Sequence, residues 1–271
     1  MGIYSYPIVY ATLVKPERRV IEAVKGWVRT HLGHEPRAVL DPACGPAKWL
    51  EPFAAKGVRL AGVDNEPGMI ARSVEVLRGH DAELVLGDMR ELPLARGEFD
   101  LVVNLYSSVA HLPDLAAVAQ HLRRCRELMR PGGLMLLGLT VHTPGAPLAP
   151  EDSLYETPAT RVPGGGMAAV HYGTAGINPA TGREIIRILL LTRDVPGVPE
   201  VVEDSYELLL FSKAEIEALL AETGFDVLEV RSMSTPGYPA AAGGVTTNAG
   251  DVTLILRPGT VAVDPAEGAI A

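Results

Sequence analysis

The chain has 271 residues, 47% of them hydrophobic and 21% charged, which suits one large α/β domain with an embellishment better than two independent domains. A formal charge of −9 excludes a general attraction to phosphate backbones or anionic membranes and favours a small-molecule partner. Cys44 and Cys125 make no disulfide framework, Met1–Tyr10 carry no basic leader, and no stretch reaches the roughly 18 apolar residues of a membrane span, so a cytoplasmic protein is expected.

From about residue 15 to 141, helix and strand signals alternate, the pattern of a parallel sheet with crossover helices. Pro16 opens a helix over 16–31, with Val20, Ile21, Val24, Trp27 and Val28 on one face. A buried first strand ends at Asp41, a tight turn through Cys44 and Gly45 follows, and a helix carrying Leu50 and Phe53 inward is expected to end at Lys56-Gly57. Second and third strands over 58–64 and 83–86 flank a helix over 66–78. The fourth strand covers 99–103, a helix covers 113–129, and after a Pro131-Gly132-Gly133 turn the fifth strand covers 134–137.

Beyond the fifth strand the composition changes. Prolines and glycines crowd 143–166, and three β-rich runs follow at 167–172, 183–192 and 201–211, with Asn178–Gly182 as a turn. Ser212 and Glu215 form a capping box that opens a helix closed by Gly224, and strands over 225–230 and 251–256 complete the sheet. The expected division is an N-terminal arm (1–15), a Rossmann-like domain (16–142 and 206–257), a β-rich cap insertion (143–205) and a loose tail (258–271). The fold class is therefore α/β: a Rossmann-like, seven-stranded, mostly parallel sheet with helices on both faces, plus an antiparallel β cap.

Asp41, Asp64 and Asp88 stand at the C-terminal ends of the first three strands, the edge at which open α/β sheets bind ligands. Asp64 lies 23 positions after Asp41, close to the interval at which a carboxylate accepts hydrogen bonds from a ribose diol. Asp88 is placed to meet an adenine amino group. A dinucleotide fits poorly, because the small positions of the turn are Ala43, Gly45 and Ala47, and Pro46 has no N–H for a pyrophosphate. No Walker lysine motif is present. The turn suits an adenosyl ligand without phosphates.

At these residues the chain resembles the class I S-adenosylmethionine-dependent methyltransferases. The matching segments are Val39–Gly45, Gly62–Met69, Gly87–Pro93, Phe99–Val102 and Leu128–Gly133. The resemblance implies S-adenosyl-L-methionine as cofactor. Asp41 and the turn through Ala43, Cys44 and Gly45 border its methionine part; Asp64, with Asn65 and Met69 in the same motif, holds the ribose; Asp88 and Met89 hold the adenine. Asn104 and Leu105 are implied to offer backbone carbonyls to its ammonium group. The cap after the fifth strand resembles, in layout, that of sugar amine N-methyltransferases and glycine N-methyltransferase. Members of the family usually carry glycine where Ala43 and Ala47 stand.

Methyl transfer asks a protein mainly to align nucleophile and sulfonium and to exclude water, with a base needed only for a protonated acceptor. Of seven histidines, His31, His34 and His80 precede strands and His121 is mid-helix, which leaves His111, His142 and His171. His111 and His142, with Tyr106, are the catalytic candidates. The acceptor-binding candidates are Tyr4, Tyr6 and Tyr10 of the arm, Ser107 and Ser108 after the fourth strand, and His171 and Tyr172 of the cap. No metal site is expected, and the partner is a small-molecule acceptor, with a homodimer open. The expected activity is methyl transfer to nitrogen or oxygen, nitrogen preferred. Two alternatives stay open: a cofactor-binding protein with non-methylating chemistry or a non-catalytic partner role, and an RNA or protein methyltransferase.

Overall fold

A computed structural model describes residues 2–145, 155–233, 237–240 and 250–259. In chain order the elements are α1 (Pro7–Leu13), α2 (Arg18–Leu32), β1 (Ala38–Asp41), β2 (Arg59–Asp64), α3 (Pro67–Val76), β3 (Asp81–Leu86), β4 (Phe99–Asn104) and α4 (Leu115–Leu128). Then come β5 (Met129–Val141), β6 (Tyr155–Glu156), β7 (Thr160–Arg161), β8 (Met167–Ile177), β9 (Glu184–Arg193), β10 (Val201–Leu208), α5 (Lys213–Thr223), β11 (Phe225–Ser232) and β12 (Gly250–Pro258).

Seven strands form the main sheet in the order β11-β12-β5-β4-β1-β2-β3. Strands β1 to β5 are parallel, and β12 runs antiparallel to both its neighbours. The central strands β1 and β4 are buried along their whole length, as continuous apolar runs covered on both faces must be. Side chains alternate: Ala38 and Leu40 join the core under α4 and α5, while Val39 joins the core under α2. Strand order reverses between β1 and β4, which opens a crevice at their carboxyl ends.

Local chemistry ends the helices where it should. In α2 the buried Val24, Trp27 and Val28 share a face, and Gly33, left-handed at φ 81°, donates its N–H to Arg29 O (3.0 Å). Asp114 caps α4 by accepting from Ala117 N (2.8 Å), and the Ser212–Glu215 capping box opens α5.

The second sheet, β10-β9-β8-β6 with β7 also on β8, is antiparallel throughout. The arm is helical rather than extended: a 3₁₀ turn (Ile3–Ser5) leads into α1, with Pro7 in its first turn. Ile3, Val9 and Leu13 bury themselves against Val170, Ile186, Ile188 and Val202 of the cap, so arm and cap share one core. Asp204 of β10 accepts from Ile3 N (3.2 Å). The cap leaves and rejoins the main sheet at one point: Val141 bridges Phe211, and His142 N donates to Phe211 O (2.8 Å).

Three local expectations are corrected. No α-helix follows the Cys44–Gly45 turn; residues 42–50 are successive turns leading to a 3₁₀ helix at Glu51–Phe53, because Ala47 is left-handed (φ 64°) and Pro46 and Pro52 withhold N–H groups. Leu50 and Phe53 still face the core. Pro131-Gly132-Gly133 does not separate helix from strand but lies within β5 as an irregularity, the pairing passing from Phe99–Met129 to Leu101–Leu134. Strand β8 runs on to Ile177, and two short strands, β6 and β7, add to its edge. Most of the expected tail and residues 146–154 of the Pro/Gly-rich stretch lie outside the described residues. Among the described residues no helix is long and apolar enough to cross a membrane.

Candidate functional site

At the carboxyl ends of β1, β2 and β3 a cavity of about 180 Å³ opens beside the crevice. Its walls include Pro42, Ala43, Asp64, Asn65, Asp88, Met89, Arg90 and His111, and therefore draw on four loops far apart in sequence. Met69 is not among them: it lies buried on α3.

The turn after β1 is held from within. Asp64 accepts from Gly45 N (2.8 Å) and from Glu66 N (2.9 Å), tying the ends of β1 and β2 together. Asp41 accepts from Ala43 N (3.1 Å), and Ser73 of α3 donates to Gly45 O (2.7 Å). Gly45 is left-handed (φ 51°), a conformation that a side chain disfavours. Burial pushes the Asp41 carboxyl up to about 7 and also raises that of Asp64, in both cases against the pull of backbone N–H groups and Lys48. Cys44 is fully buried, with Ser73 Oγ 3.9 Å from its sulfur; burial and the two aspartates push its thiol up, the opposite of what a nucleophile needs.

Asp88 is engaged by the chain itself. Arg90 Nε and Nη2 donate to its carboxylate at 3.0 and 2.6 Å, and Arg90 N adds a third contact at 2.8 Å, which holds the carboxyl below the usual range. The loop carrying Asp88 and Met89 is gripped from behind by α4. His121 is wholly buried, with Nδ1 2.9 Å from Met89 O. Nδ1–H must therefore be the donor, and the Cys125 thiol, 3.6 Å from Nε2, supplies the other partner. Burial keeps His121 neutral down to about 4. One turn on, Arg124 donates to Leu92 O and Leu94 O at 2.7 and 2.8 Å.

Strand β4 ends on Asn104, fully buried with neither its amide oxygen nor its amide nitrogen hydrogen-bonded. Leu105 O accepts from Ser108 Oγ (3.0 Å), and Ser107 Oγ lies 3.3 Å from Thr140 Oγ1 of β5. Tyr106 and Ser107 are both left-handed (φ 59° and 55°), a strain of about 1–2 kcal/mol each that clusters at functional loops. Gly138 of β5 permits the turn: a Cβ there would stand 3.0 Å from Leu105 Cα and Tyr106 N. A 3₁₀ helix, Ser108–His111, then brings His111 to the cavity wall.

His111 stands between the cavity and the cap. Its ring centroid is 4.8 Å from Tyr206 and 6.1 Å from Tyr4, and Tyr4 is 5.3 Å from Tyr10. Burial, assisted by the charge of Arg183, lowers its pKa to about 4. Arg183, at the root of β9, donates to Ala110 O, Leu112 O and Pro113 O (3.4, 3.0 and 2.7 Å), so the cap holds the His111 loop through its carbonyls.

The structure brings together His111, Tyr4, Tyr10 and Tyr172, and adds Tyr206 to them. Tyr6 lies at the edge of the same core. Tyr106, 46% exposed, packs at a tilt against Trp49 (ring centroids 5.5 Å apart) at the other side of the turn. His171 is elsewhere: strand alternation sends it to the face opposite Tyr172, where it pairs with Glu156 (2.7 Å). His142 is half-buried at the strand exchange, its backbone N on Phe211 O. Sequence reading missed Lys48, Arg90, Ser73, Arg183 and Tyr206. Lys48 borders a motif already recognised and Arg90 lies within one; the other three carry no local signal, because only tertiary folding brings α3 and the cap strands here.

Residues 39–133 match the family model described as a methyltransferase domain. The ubiquinone biosynthesis O-methyltransferase of Azorhizobium caulinodans is 33% identical over 126 residues, covering 41% of this chain and 48% of that protein. The chain thus spans about half the length of the curated relatives it matches. An S-adenosylmethionine-dependent methyltransferase from Clostridium acetobutylicum has a similar structure, with a TM-score of 0.72 at 14% identity over 93% of this chain and 96% of that one. An amino pentose methyltransferase from Micromonospora echinaspora, involved in calicheamicin biosynthesis and solved with SAM bound, gives 0.66 at 21% identity over 90% and 92%. At such identities the structural likeness is one of fold.

Proposed function

We propose that this chain, whose residues 39–133 match the methyltransferase-domain model, moves a methyl group from S-adenosylmethionine to a nitrogen or oxygen of a small molecule, nitrogen preferred. One observation carries the reading: a single cavity joins the strand-end acids Asp64 and Asp88 to His111, which faces the tyrosines of the arm and cap. The residues present fit the cofactor. Gly45 leaves the turn without a Cβ, the acids offer acceptors to ribose hydroxyls and an adenine amino group, and the orphaned amide of Asn104 asks for a polar partner. Asp41, Ala43, Cys44 and Gly45 shape the turn around the methionine part; Asn65 and Met89 complete the adenosine walls; Leu105 O keeps a lone pair for an ammonium donor.

S-adenosylmethionine, when bound, supplies a methyl group on a sulfonium, an electrophilic carbon for in-line attack. The tyrosine faces of Tyr4, Tyr10, Tyr172 and Tyr206 attract a cationic amine by cation–π interaction. His111, whose ring stays neutral to about 4, accepts a hydrogen bond from the amine N–H and aims the nitrogen lone pair at the methyl; so weak a base does not strip an ammonium, and the amine's proton leaves to solvent. Arg183 fixes the loop that aims His111, and the cap and arm exclude water. Tyr6, Ser107 and Ser108 complete the acceptor side, and His171 falls outside it.

Isothermal titration of the full chain with S-adenosylmethionine and S-adenosylhomocysteine tests the donor half, with Asp64→Ala as the weakened control. Wild type binding neither ligand would sink the proposal. Methyl transfer from labelled cofactor to a panel of amino sugars, other small amines and phenols tests the acceptor half, with turnover expected first among the amines. The formal charge of −9 argues against an RNA substrate.

A further inference from the structure

We propose that Lys48 is the counter-ion for the α-carboxylate of bound S-adenosylmethionine, an inference that rests on the cofactor reading above. Lys48 stands three residues beyond Gly45, half-buried at the mouth of the turn. Its Nζ donates to Tyr10 Oη (3.0 Å) and lies 5.0 Å from the centroid of the Tyr10 ring and 4.6 Å from that of Tyr106. The Tyr106 face and the Tyr10 phenol oxygen thus hold an ammonium group in place without neutralising it.

No ion pair is formed at Lys48 among the described residues. The nearby acids are occupied otherwise: Asp41 by Ala43 N, and Asp64 by Gly45 N and Glu66 N. Other cations beside the cavity are already engaged. Arg90 is bound to Asp88, and Arg183 to the carbonyls of the His111 loop. A partly desolvated cation held rigidly and left without a direct anion is a site for an anionic group.

Position selects which anion. A Cβ placed on Gly45 would meet Tyr10 Cε1 at 3.9 Å, so the Tyr10–Lys48 pair lies directly against the turn assigned to the methionine part. Tyr106, the ring over Lys48, follows Leu105, the carbonyl assigned to the ammonium group. The zwitterionic end of the cofactor thereby finds both complements on neighbouring segments: carbonyls for its ammonium and Lys48 for its carboxylate. Tyr10 belongs to the arm, so the same contact makes the docked arm part of the cofactor site.

The test compares S-adenosylhomocysteine with 5′-methylthioadenosine, which keeps the adenosine and sulfur but lacks the amino-acid end, by calorimetry on the full chain. Lys48→Met is expected to weaken S-adenosylhomocysteine binding about tenfold or more and to leave methylthioadenosine within about twofold, with Lys48→Arg recovering most of the loss. Unchanged homocysteine-ligand affinity in Lys48→Met overturns the proposal. So does an equal loss for both ligands, which would reduce Lys48 to a prop for the arm. Wild type that binds neither ligand overturns the cofactor reading, and this one with it; wild type that binds both leaves Lys48→Met to decide alone.

Discussion

His111 combines three properties that rarely coincide in a half-enclosed histidine: a neutral ring, aromatic neighbours on the cap side and a cavity on the other. As the group that orients the acceptor nitrogen it should be needed for turnover and not for donor binding. His111→Leu is expected to lower kcat about 10²-fold while the S-adenosylhomocysteine Kd stays within about twofold; equal loss in both would assign it to packing. Gly45 makes the opposite demand. Gly45→Ala forces a methyl-bearing residue into φ 51°, costing about 1–2 kcal/mol, and is expected to lower the melting temperature and weaken cofactor-analogue binding together. The acids at the strand ends and the glycine turn were legible because each is set by its own neighbours in sequence. Lys48 was in plain view beside that turn, yet its meaning depends on Tyr10 and Tyr106, which arrive from the arm and from the loop after β4.

Among the elements, α4 does more than cover the sheet. His121 and Arg124, one turn apart, take up carbonyls of residues 89, 92 and 94, so the helix sets the backbone of the loop that carries Asp88. A mid-helix histidine reads in sequence as packing; its burial and its contact with Met89 O make it a positioning residue. His121→Leu leaves that carbonyl and the Cys125 thiol unpartnered, costing about 1–3 kcal/mol by calorimetry or denaturant titration. A positioning role further predicts weaker methylthioadenosine binding in His121→Leu, with partial rescue by His121→Gln; unaltered affinity would leave His121 as core alone. The strands were legible where both faces are covered and the apolar run is continuous, as in β1 and β4. The segment after the turn was not: apolar Leu50 and Phe53 fit a helical face, but Ala47, φ 64°, and Pro52 break the hydrogen-bond ladder that a helix requires.

At the scale of the molecule, buried titrating groups give stability a pH dependence. His111 and His121 stay neutral to about 4 in the fold, whereas unfolded they protonate near 6.5, so each removes stability as pH falls from about 6.5 to about 4. Asp41, raised to about 7, acts in the other sense: its contribution is complete below about 3.8 and is lost as pH rises through about 7. Asp64, also raised by burial, acts in the same sense as Asp41, so each contribution is read by difference: lowering the pH from 6.5 to 4 should cost His121→Gln less melting temperature than wild type, and Asp41→Asn should gain relative to wild type at pH 8 compared with pH 5. Parallel profiles for wild type and His121→Gln would contradict the burial of that ring. The architecture of parallel sheet plus antiparallel cap was readable from chain order, but the union of arm and cap in one core was not, since Ile3 and Val202 are joined only by folding. The cap departs at Val141 and returns at Phe211, side by side, the two residues bridging one another. Such a junction is a cassette boundary: under the proposed function, exchanging residues 142–210 together with the arm that shares their core, with Arg183 kept as the clasp on the His111 loop, would replace the acceptor side and leave β1 to β5 in register, so that new substrates become reachable by grafting rather than by rebuilding.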